Sequence, residues 1–319
     1  MTPPGTTLVT GATGFAGGHL LDLLFKTDGP PIAAWARPGG QPATIHPRVQ
    51  WRAVDLLDAT AVKQAIADIQ PSAIYHLAGL SHLGKSWQRS VAHLETHVLG
   101  THHLLEGVRI HAPACRVLVV SSGMIYRPQD QPVGEDAPLG PVSPYALSKL
   151  AEDQLALHAA AHDDLDIVVA RPFNHTGPGQ APTFAASSFA RQIVEIERGK
   201  TPPTIAVGNL EARRDVTDVR DVVAAYAALM RHGRRGIAYN VCRSQTIGMG
   251  DLLNRLLAMS SARVELVTDP ARLRPSDLPF LAGRADRLRA DTGWTPRIPL
   301  EQTLADLLGF WRRSLAPGH

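Results

Sequence analysis

A tyrosine and a lysine four positions apart are the side chains in this sequence with the clearest capacity for chemistry. Tyr145 and Lys149 lie in segment 143–150, and leucines and alanines continue a helical pattern beyond it. Residues four apart share one helix face, so the phenol and the ammonium would be neighbours. A positive charge favours ionisation of a phenol, whose pKa is ordinarily about 10, and so prepares it to protonate a carbonyl oxygen. The alternative is a solvated pair on a surface helix.

A glycine-rich turn near the amino terminus predicts a dinucleotide-binding site. It follows a strand expected at 6–10 and precedes a helical pattern through His19 and Leu24. The glycines permit a tight turn, close approach of a pyrophosphate, and close packing of helix on strand. Their spacing, G-x-x-G-x-x-G, is one residue longer in its first gap than the usual fingerprint, and a structural turn is the alternative. The expected cofactor contacts are Gly11, Thr13, Gly14, Phe15, Ala16 and Gly17.

The residue after the second predicted strand bears on the choice of cofactor. This strand, 31–36, is followed by Arg37, twenty residues beyond Gly17. An NAD site usually has an acidic residue here for the ribose 2′-hydroxyl, whereas an arginine suits the 2′-phosphate of NADP. We therefore expect NADP(H), with NAD(H) as the alternative and a solvated loop charge as the other interpretation of Arg37. Further cofactor contacts are expected after the strands at 49–54 and 73–77, namely Asp55, Leu56, Leu77, Ala78 and Gly79.

Strands alternate with helices along the first half of the chain. Helices are expected at 60–69 and about 91–111, and a fifth strand at 117–121. This rhythm is typical of an α/β fold with a Rossmann-like, doubly wound parallel sheet. Ser122 follows the fifth strand at the carboxyl edge, where such sheets bind their ligands. Together with Tyr145 and Lys149, it would bind a substrate carbonyl oxygen; alone, a serine here would cap its own backbone.

Composition and charge exclude several classes of protein. Of the 319 residues, 44% are hydrophobic and 19% charged, as in an ordinary globular protein. The sequence contains neither a signal-peptide pattern nor eighteen consecutive apolar residues, so we expect a cytoplasmic protein without a membrane partner. Cys115 and Cys242 lack the paired spacing of a metal or redox site. The net charge of +3 comes with scattered arginines and few aromatic residues, which disfavours nucleic-acid binding.

Taken together, the glycine turn, Ser122, Tyr145 and Lys149 resemble the extended short-chain dehydrogenase/reductase family over nearly the whole chain. Further motifs are similar to those of the branch that holds GDP-mannose 4,6-dehydratase and GDP-4-keto-6-deoxymannose reductase. They are RPFNHTGPGQ (171–180), VGNLEARRD (207–215), RPSD (274–277) and TGWTP (292–296). Four separate motifs in the right order are more specific than any one of them.

The resemblance implies a set of residues around a nucleotide sugar. Arg214 and Arg274 each carry a guanidinium that can bind a diphosphate through two parallel hydrogen bonds. The side-chain amide of Asn174 would reach a diphosphate or a sugar hydroxyl. The family pattern adds Ser81 and Ser86 beside the hexose, Ser122 at the carbonyl, and Asn209. For His175 we favour a packed core histidine over a sugar contact.

These placements predict two interleaved domains. Residues 1–170 plus about 214–241 would form the NADP-binding Rossmann domain. Residues of about 171–213 plus 242–319 would form a smaller, C-terminal nucleotide-sugar-binding cap. Helices are expected at 219–232, 252–259 and 300–311, with a strand at 237–241. By resemblance, the protein would be a homodimer formed through the helix that carries Tyr145 and its neighbour at 91–111.

The residues after Ser122 distinguish among the reactions of the family. A dehydratase needs an extra carboxylate to eliminate water, and the dehydratase pattern has an acidic residue two positions after the catalytic Ser or Thr. This chain has Gly123 and Met124 there. We therefore expect reduction of the C4 ketone of a GDP-linked 4-keto-6-deoxyhexose to GDP-rhamnose or GDP-6-deoxytalose. The alternatives are a dehydratase or epimerase that retains NAD(P), and a non-catalytic NAD(P)-sensing protein.

Two residues depart from the family pattern. His97 stands where the family commonly has Asn, and Arg127 replaces the Gly that usually follows the loop tyrosine, here Tyr126. Both leave the proton donor intact, but either would reshape the loop over the nicotinamide. They also indicate a substrate other than the standard one.

Overall fold

The central element of the structure is a seven-stranded parallel β-sheet. The computed structural model describes residues 5–27, 29–40, 48–81, 86–272 and 278–316. With strands numbered along the chain, the sheet contains β1 (Thr7–Thr10), β2 (Ile32–Ala36), β3 (Val49–Ala53), β4 (Ala73–His76), β5 (Arg116–Val120), β6 (Asp166–Pro172) and β10 (Ala238–Val241). The strand order is β10-β6-β5-β4-β1-β2-β3, and every neighbouring pair is parallel.

Helices cover both faces of this sheet. The helices are α1 (Phe15–Phe25), α2 (Ala59–Ile69), α3 (Ser90–Leu94), α4 (Gly100–His111), α5 (Pro144–His162), α6 (Ala185–Glu197), α7 (Val219–His232), α8 (Met249–Ala258), α9 (Asp286–Thr292) and α10 (Leu300–Ser314). Leu20 of α1 and Tyr226 of α7 belong to the core on one face, and Ile66 of α2 and Leu104 of α4 to the core on the other. Strands buried on both faces read as continuous apolar runs, as β2 does. The predicted doubly wound α/β fold is confirmed.

The order of the strands creates a crevice at one edge of the sheet. From β1 the chain first builds outward through β2 and β3, and then continues on the other side of β1 with β4, β5 and β6. The loops after β1 and β4 therefore diverge, which is where open α/β sheets bind ligands. Thr10 and His76 are register partners at this edge, so residues 11 and 77–79 emerge side by side.

A smaller group of elements from the second half of the chain packs over this edge. It contains strands β7 (Asn174–Thr176), β8 (Thr204–Val207), β9 (Arg213–Asp218), β11 (Thr246–Gly248), β12 (Glu265–Thr268) and β13 (Phe280–Leu281). β9 pairs with β7, β11 and β13, while β8 pairs with β12. A third core, which includes Ile193, Leu253 and Leu304, joins α6, α8 and α10 to these strands. The two groups alternate along the sequence, because β10 returns to the central sheet after β9.

The helix expected at 91–111 is interrupted. α3 gives way to a π-helical turn at Glu95–Leu99 before α4 begins. Such turns insert one extra residue and occur often at functional sites. Here the turn holds the His97 side chain in the interior, with none of it exposed.

The longest helix in the described part of the chain is α5, with 19 residues. Neither α5 nor any other described helix combines enough length with enough apolar character to cross a membrane.

Candidate active site

The glycine turn after β1 forms a cradle without side chains at the amino terminus of α1. Gly11 has a φ of 66°, and a Cβ there would lie 2.7 Å from the backbone nitrogen of Ala78. A Cβ at Gly17 would overlap the carbonyl oxygen of Gly11. Gly14 is the N-cap residue of α1 and has no side chain to occupy the first free N–H groups. Those groups and the helix dipole are therefore available to an anion such as a pyrophosphate.

This cradle opens into a cavity of about 290 Å³. The cavity lies between the carboxyl edge of the central sheet and the smaller group of elements. The predicted residues in its wall are Gly11, Gly14, Phe15, Ala16, Gly17, Leu77, Gly79, Ser81, Ser122, Tyr145, Lys149 and Asn174. The fold thus brings the glycine turn, the Ser–Tyr–Lys group and one residue of the second half of the chain into a single site.

Helix α5 supplies two of the chemical side chains. It begins after Ser143, whose hydroxyl accepts a hydrogen bond from the N–H of Ala146 at 3.1 Å, and Pro144 occupies the first helical position. Tyr145 lies in the first turn and Lys149 one turn later, so both reach the cavity as their spacing predicts. The capped start of α5 therefore fixes the position of the Tyr145 phenol.

Lys149 is held firmly at the base of the cavity. Its side-chain nitrogen donates to the carbonyl oxygen of Val120 at 2.8 Å and to Glu152 at 2.6 Å. An ammonium has three donors, so one remains for a ligand. The residue is only 7% exposed.

Ser122 combines both interpretations of its position. Its hydroxyl oxygen accepts a hydrogen bond from the N–H of Met124 at 3.1 Å and so caps the short turn at Gly123–Ile125. A hydroxyl that accepts from the backbone still has its own proton to donate. Because Ser122 also lines the cavity, that proton is available to a ligand oxygen.

Two buried histidines pack against the ring of Tyr145. The ring centroids of His93 and His97 lie 5.9 and 5.8 Å from it, with edge-on geometry. The N–H of Leu80 donates to Nε2 of His97 at 3.0 Å, so a neutral His97 carries its proton on Nδ1, 2.8 Å from the Ser148 hydroxyl. Burial first, and then the charge of Lys149, hold the pKa of His97 well below its usual range. His97 thus joins the loop after β4 to α5 as a neutral side chain.

The other predicted site residues in the described part of the chain lie outside the wall of the cavity. Thr13, Arg37 and Asp55 are exposed, Leu56 is half-buried, and Ala78 donates its N–H to Thr10. On the substrate side, Ser86 is fully buried, the side-chain oxygen of Asn209 accepts from the N–H of Glu211, and Arg214 donates to the carbonyl of Arg213. Arg274 lies outside the described residues. Of the two departures from the family pattern, His97 borders the site, whereas Arg127 is exposed on its loop.

The wall also contains residues that the sequence did not single out as ligand contacts. They are Leu80, Val120, Ser121, Met124, Pro172, Phe173, His175, Gln180, Phe184, Tyr226 and Leu281. His175 donates from Nδ1 to the carbonyl of Phe173 at 3.0 Å and stacks on Phe15, which fits the packed histidine that we favoured. Tyr226 reads in the sequence as an ordinary core position of an amphipathic helix, so nothing local marks it.

Comparison with known proteins agrees with this geometry. A family profile described as GDP-mannose 4,6 dehydratase matches residues 8–307. The chain belongs to this family. A curated GDP-6-deoxy-D-mannose reductase of Pseudomonas aeruginosa is 34% identical over 306 residues, which are 95% of this chain and 96% of that protein.

Members of the same superfamily with other activities are more distant. A dTDP-glucose 4,6-dehydratase of Streptomyces griseus is 29% identical over 96% of this chain and 94% of its own length.

Among solved structures, RMD from Pseudomonas aeruginosa complexed with NADPH superposes with a TM-score of 0.86 at 32% identity, covering 98% of this chain and all of that one. The extended short-chain dehydrogenase/reductase resemblance is confirmed, and the chain is of the NAD(P)-dependent nucleotide-sugar enzyme type.

Proposed function

We propose that this member of the family reduces the C4 ketone of a GDP-linked 4-keto-6-deoxyhexose with NADPH, giving GDP-rhamnose or GDP-6-deoxytalose. One observation carries the choice of reaction: none of the described residues in the wall of the cavity is an Asp or a Glu. Elimination of water needs an acid or base near the sugar carbons, whereas reduction needs one proton donor. Met124 occupies the position where a dehydratase would have that acid. The similarity to a GDP-6-deoxy-D-mannose reductase supports the same choice.

The chain's own residues supply the cofactor cradle and the proton. NADPH would provide the hydride when bound at the glycine turn, whose Gly11 and Gly17 leave no room for a Cβ. Tyr145 would donate its phenolic proton to the oxygen of the ketone as that oxygen gains charge. Ser122 would donate a hydrogen bond to the same oxygen, and Lys149 would hold the nicotinamide ribose and stabilise the phenolate left behind. Transfer of a proton from solvent to Tyr145 would complete the cycle.

The same proposal assigns the remaining substrate contacts. Asn174 lines the rim of the cavity at the start of β7, and Ser81 lies in the loop after β4. The diphosphate would be bound by Arg214 on β9 and by Arg274, with Asn209 contributing from the loop before β9. We propose that residues 1–170 plus about 214–241 form the NADP-binding domain and residues of about 171–213 plus 242–319 the cap, except that β9 pairs with the strands of the cap. We also propose a cytoplasmic location, because Cys115 and Cys242 are free thiols.

A single assay tests the reaction. Purified protein is mixed with NADPH and GDP-4-keto-6-deoxymannose, nicotinamide absorbance is followed, and the sugar product is identified. We expect stoichiometric NADPH oxidation with formation of a 6-deoxyhexose that has a C4 hydroxyl. Tightly retained NAD(P)⁺ with no net NADPH consumption would instead indicate an epimerase or a dehydratase.

We predict that Arg37→Ala shifts the cofactor preference from NADPH towards NADH. Arg37 directly follows β2, the neighbour of β1, and residues 36–50 contain no acidic side chain for a ribose 2′-hydroxyl. Losing a charge-assisted contact with the 2′-phosphate should raise the KM for NADPH by about 10- to 100-fold. The KM for NADH should change by no more than about twofold. Arg263→Ala, at an exposed arginine before β12 and outside the cavity wall, is the control. Equal effects of Arg37→Ala on both cofactors would defeat the assignment.

We further propose that the protein is a homodimer formed through the exposed face of α3, the π-helical turn and α5. This face presents apolar side chains to solvent, with Val91 65%, Leu99 48% and Leu147 52% exposed. Apolar patches of this kind mark interaction sites. Val91→Glu combined with Leu94→Glu should give a monomer by light scattering after gel filtration. Leu266→Glu, at an exposed position of β12, should leave the dimer intact, and a monomeric wild type would contradict the proposal.

A further inference from the structure

A chain of buried polar side chains runs behind Lys149, on the side away from the cavity. The nitrogen of Lys149 lies 2.6 Å from one carboxylate oxygen of Glu152, a side chain with no exposed surface. The other carboxylate oxygen accepts a hydrogen bond from the hydroxyl of Thr101 at 3.1 Å. That hydroxyl lies 2.9 Å from Nε2 of His76, whose Nδ1 lies 2.8 Å from the hydroxyl of Thr10. Four elements of the fold thus meet behind one ammonium.

The contacts determine where the protons of this chain are. Thr101 gives its one hydroxyl proton to Glu152, so it must accept from an N–H at Nε2 of His76. Nδ1 then has no proton and accepts from Thr10. Burial and the charge of Lys149 lower the pKa of His76 to about 3, which agrees with a neutral ring. The chain ends at Thr10, which accepts the backbone N–H of Ala78 at 3.3 Å. An amide does not release its proton, so the chain fixes the carboxylate in place and does not conduct protons.

Glu152 provides the negative charge that compensates the buried ammonium of Lys149. An ammonium that is only 7% exposed has lost most of its hydration and tends to become neutral unless a negative charge compensates. The carbonyl of Val120 offers a neutral acceptor, whereas Glu152 offers an anion at a distance typical of a charge-assisted hydrogen bond. We infer that Glu152 is the counter-ion that keeps Lys149 charged and directed into the cavity. It is therefore a positioning residue of the active site, a role that rests on the proposed function.

Other ionisable groups near Lys149 do not replace Glu152 in this role. The groups around this ion pair are His76 from β4, His97 from the π-helical turn, with His93 packed against it, and Tyr145 and Asp153 from α5. His76 and His97 are neutral because burial lowers their pKa values. Asp153 is paired with Arg171. Burial raises the pKa of Glu152, while the Lys149 ammonium and the Thr101 hydroxyl act against that rise. The negative charge of Glu152 and the positive charge of Lys149 thus depend on each other.

The protonation state of Lys149 can be measured without substrate or cofactor. The chain has five lysines, so the ¹³Cε resonances of protein labelled with ¹³C-lysine form a simple spectrum, and Lys149→Met identifies one of them. The pH titration of the Lys149 resonance in the wild type is the reference. In Glu152→Gln, which keeps the shape but not the charge, its titration should move to lower pH by one unit or more, on the order expected for loss of a close counter-charge. An unchanged titration, or a wild-type Lys149 that is already neutral at pH 8, would overturn the inference.

Two further variants separate the charge from the packing. Thr101→Val removes the hydroxyl but leaves the carboxylate beside the ammonium, so it should lower stability without moving the Lys149 titration. Glu152→Asp keeps the charge on a side chain one methylene shorter and should give a shift between those of the wild type and Glu152→Gln. If Glu152→Gln does not fold, as judged by circular dichroism, the comparison of Glu152→Asp with Thr101→Val decides. Equal titrations in these two variants would then overturn the inference.

Kinetic measurements relate the role of Glu152 to the reaction. They also distinguish a failure of this inference from a failure of the proposed function. With the keto sugar as substrate, Glu152→Gln should reduce kcat/KM by about tenfold or more. The loss of activity at high pH should also begin at a lower pH. Both effects are expected because Lys149 would lose its charge more easily in this variant. A wild type that does not oxidise NADPH would refute the proposed function, yet the lysine titration would still decide the role of Glu152.

Discussion

Tyr145→Phe should abolish most of the NADPH-dependent reduction while leaving the protein folded and able to bind its cofactor. Phe keeps the ring that packs against His93 and His97 but removes the hydroxyl that donates the proton. General acid catalysis by a positioned side chain typically accounts for about 100- to 10,000-fold in rate, and we expect a fall in kcat within that range. The measurement is steady-state NADPH oxidation with GDP-4-keto-6-deoxymannose.

The control for this variant removes a phenolic hydroxyl elsewhere. Tyr75, on β4, is 5% exposed and lies outside the wall of the cavity. Tyr75→Phe should therefore alter kcat by no more than about threefold, even if it changes stability slightly. Fluorescence titration with NADPH should give Kd values for Tyr145→Phe and wild type within a few-fold of each other. Turnover by Tyr145→Phe at the wild-type rate would remove Tyr145 from the mechanism.

The residues of the cavity differ in how far the sequence could predict them. Gly11, Gly14 and Gly17 lie within one local motif, and the spacing of Tyr145 and Lys149 places them on one helix face without any tertiary information. They line one cavity, and the local constraints that bring them there act over seven residues or fewer. Since parallel strands end at a common edge, the position of Ser122 after a strand was enough to bring it to the same cavity.

The parts that the sequence could not predict depend on contacts between distant segments. Glu152 lies three residues after Lys149, so its place on the helix was readable, but its partner Thr101 is 51 residues away on α4. Tyr226 reaches the cavity only because α7 packs against the sheet beside α1. The sequence of Glu95–Leu99 has no pattern that distinguishes this π-helical turn from the α-helix predicted there. The turn accompanies the buried position of His97, whose Nε2 accepts a hydrogen bond from the N–H of Leu80. Local sequence propensities do not predict these contacts, because tertiary packing between distant segments determines them.

Asp153→Asn should destabilise the protein strongly and without touching any residue of the cavity wall. Asp153 is fully buried on α5, four residues after Lys149, and receives two parallel hydrogen bonds of 2.8 Å from Arg171 of β6. Removing one partner of a buried ion pair leaves the other charge uncompensated, which typically costs about 3–5 kcal/mol. We expect a loss of this size in the free energy of unfolding, measured by urea denaturation with an unchanged m-value.

The contrast between buried and exposed ion pairs makes this prediction specific. Asp164, just beyond the end of α5, forms an ion pair of 2.6 Å with Arg235, but its side chain is 92% exposed. Because water screens such a pair, Asp164→Asn should change the free energy of unfolding by less than about 1 kcal/mol. The two substitutions are chemically identical, so the difference expected between them reflects the burial and the two hydrogen bonds of the Asp153–Arg171 pair. Equal effects would mean that the Asp153–Arg171 pair does not secure α5, and with it Tyr145 and Lys149, to the sheet.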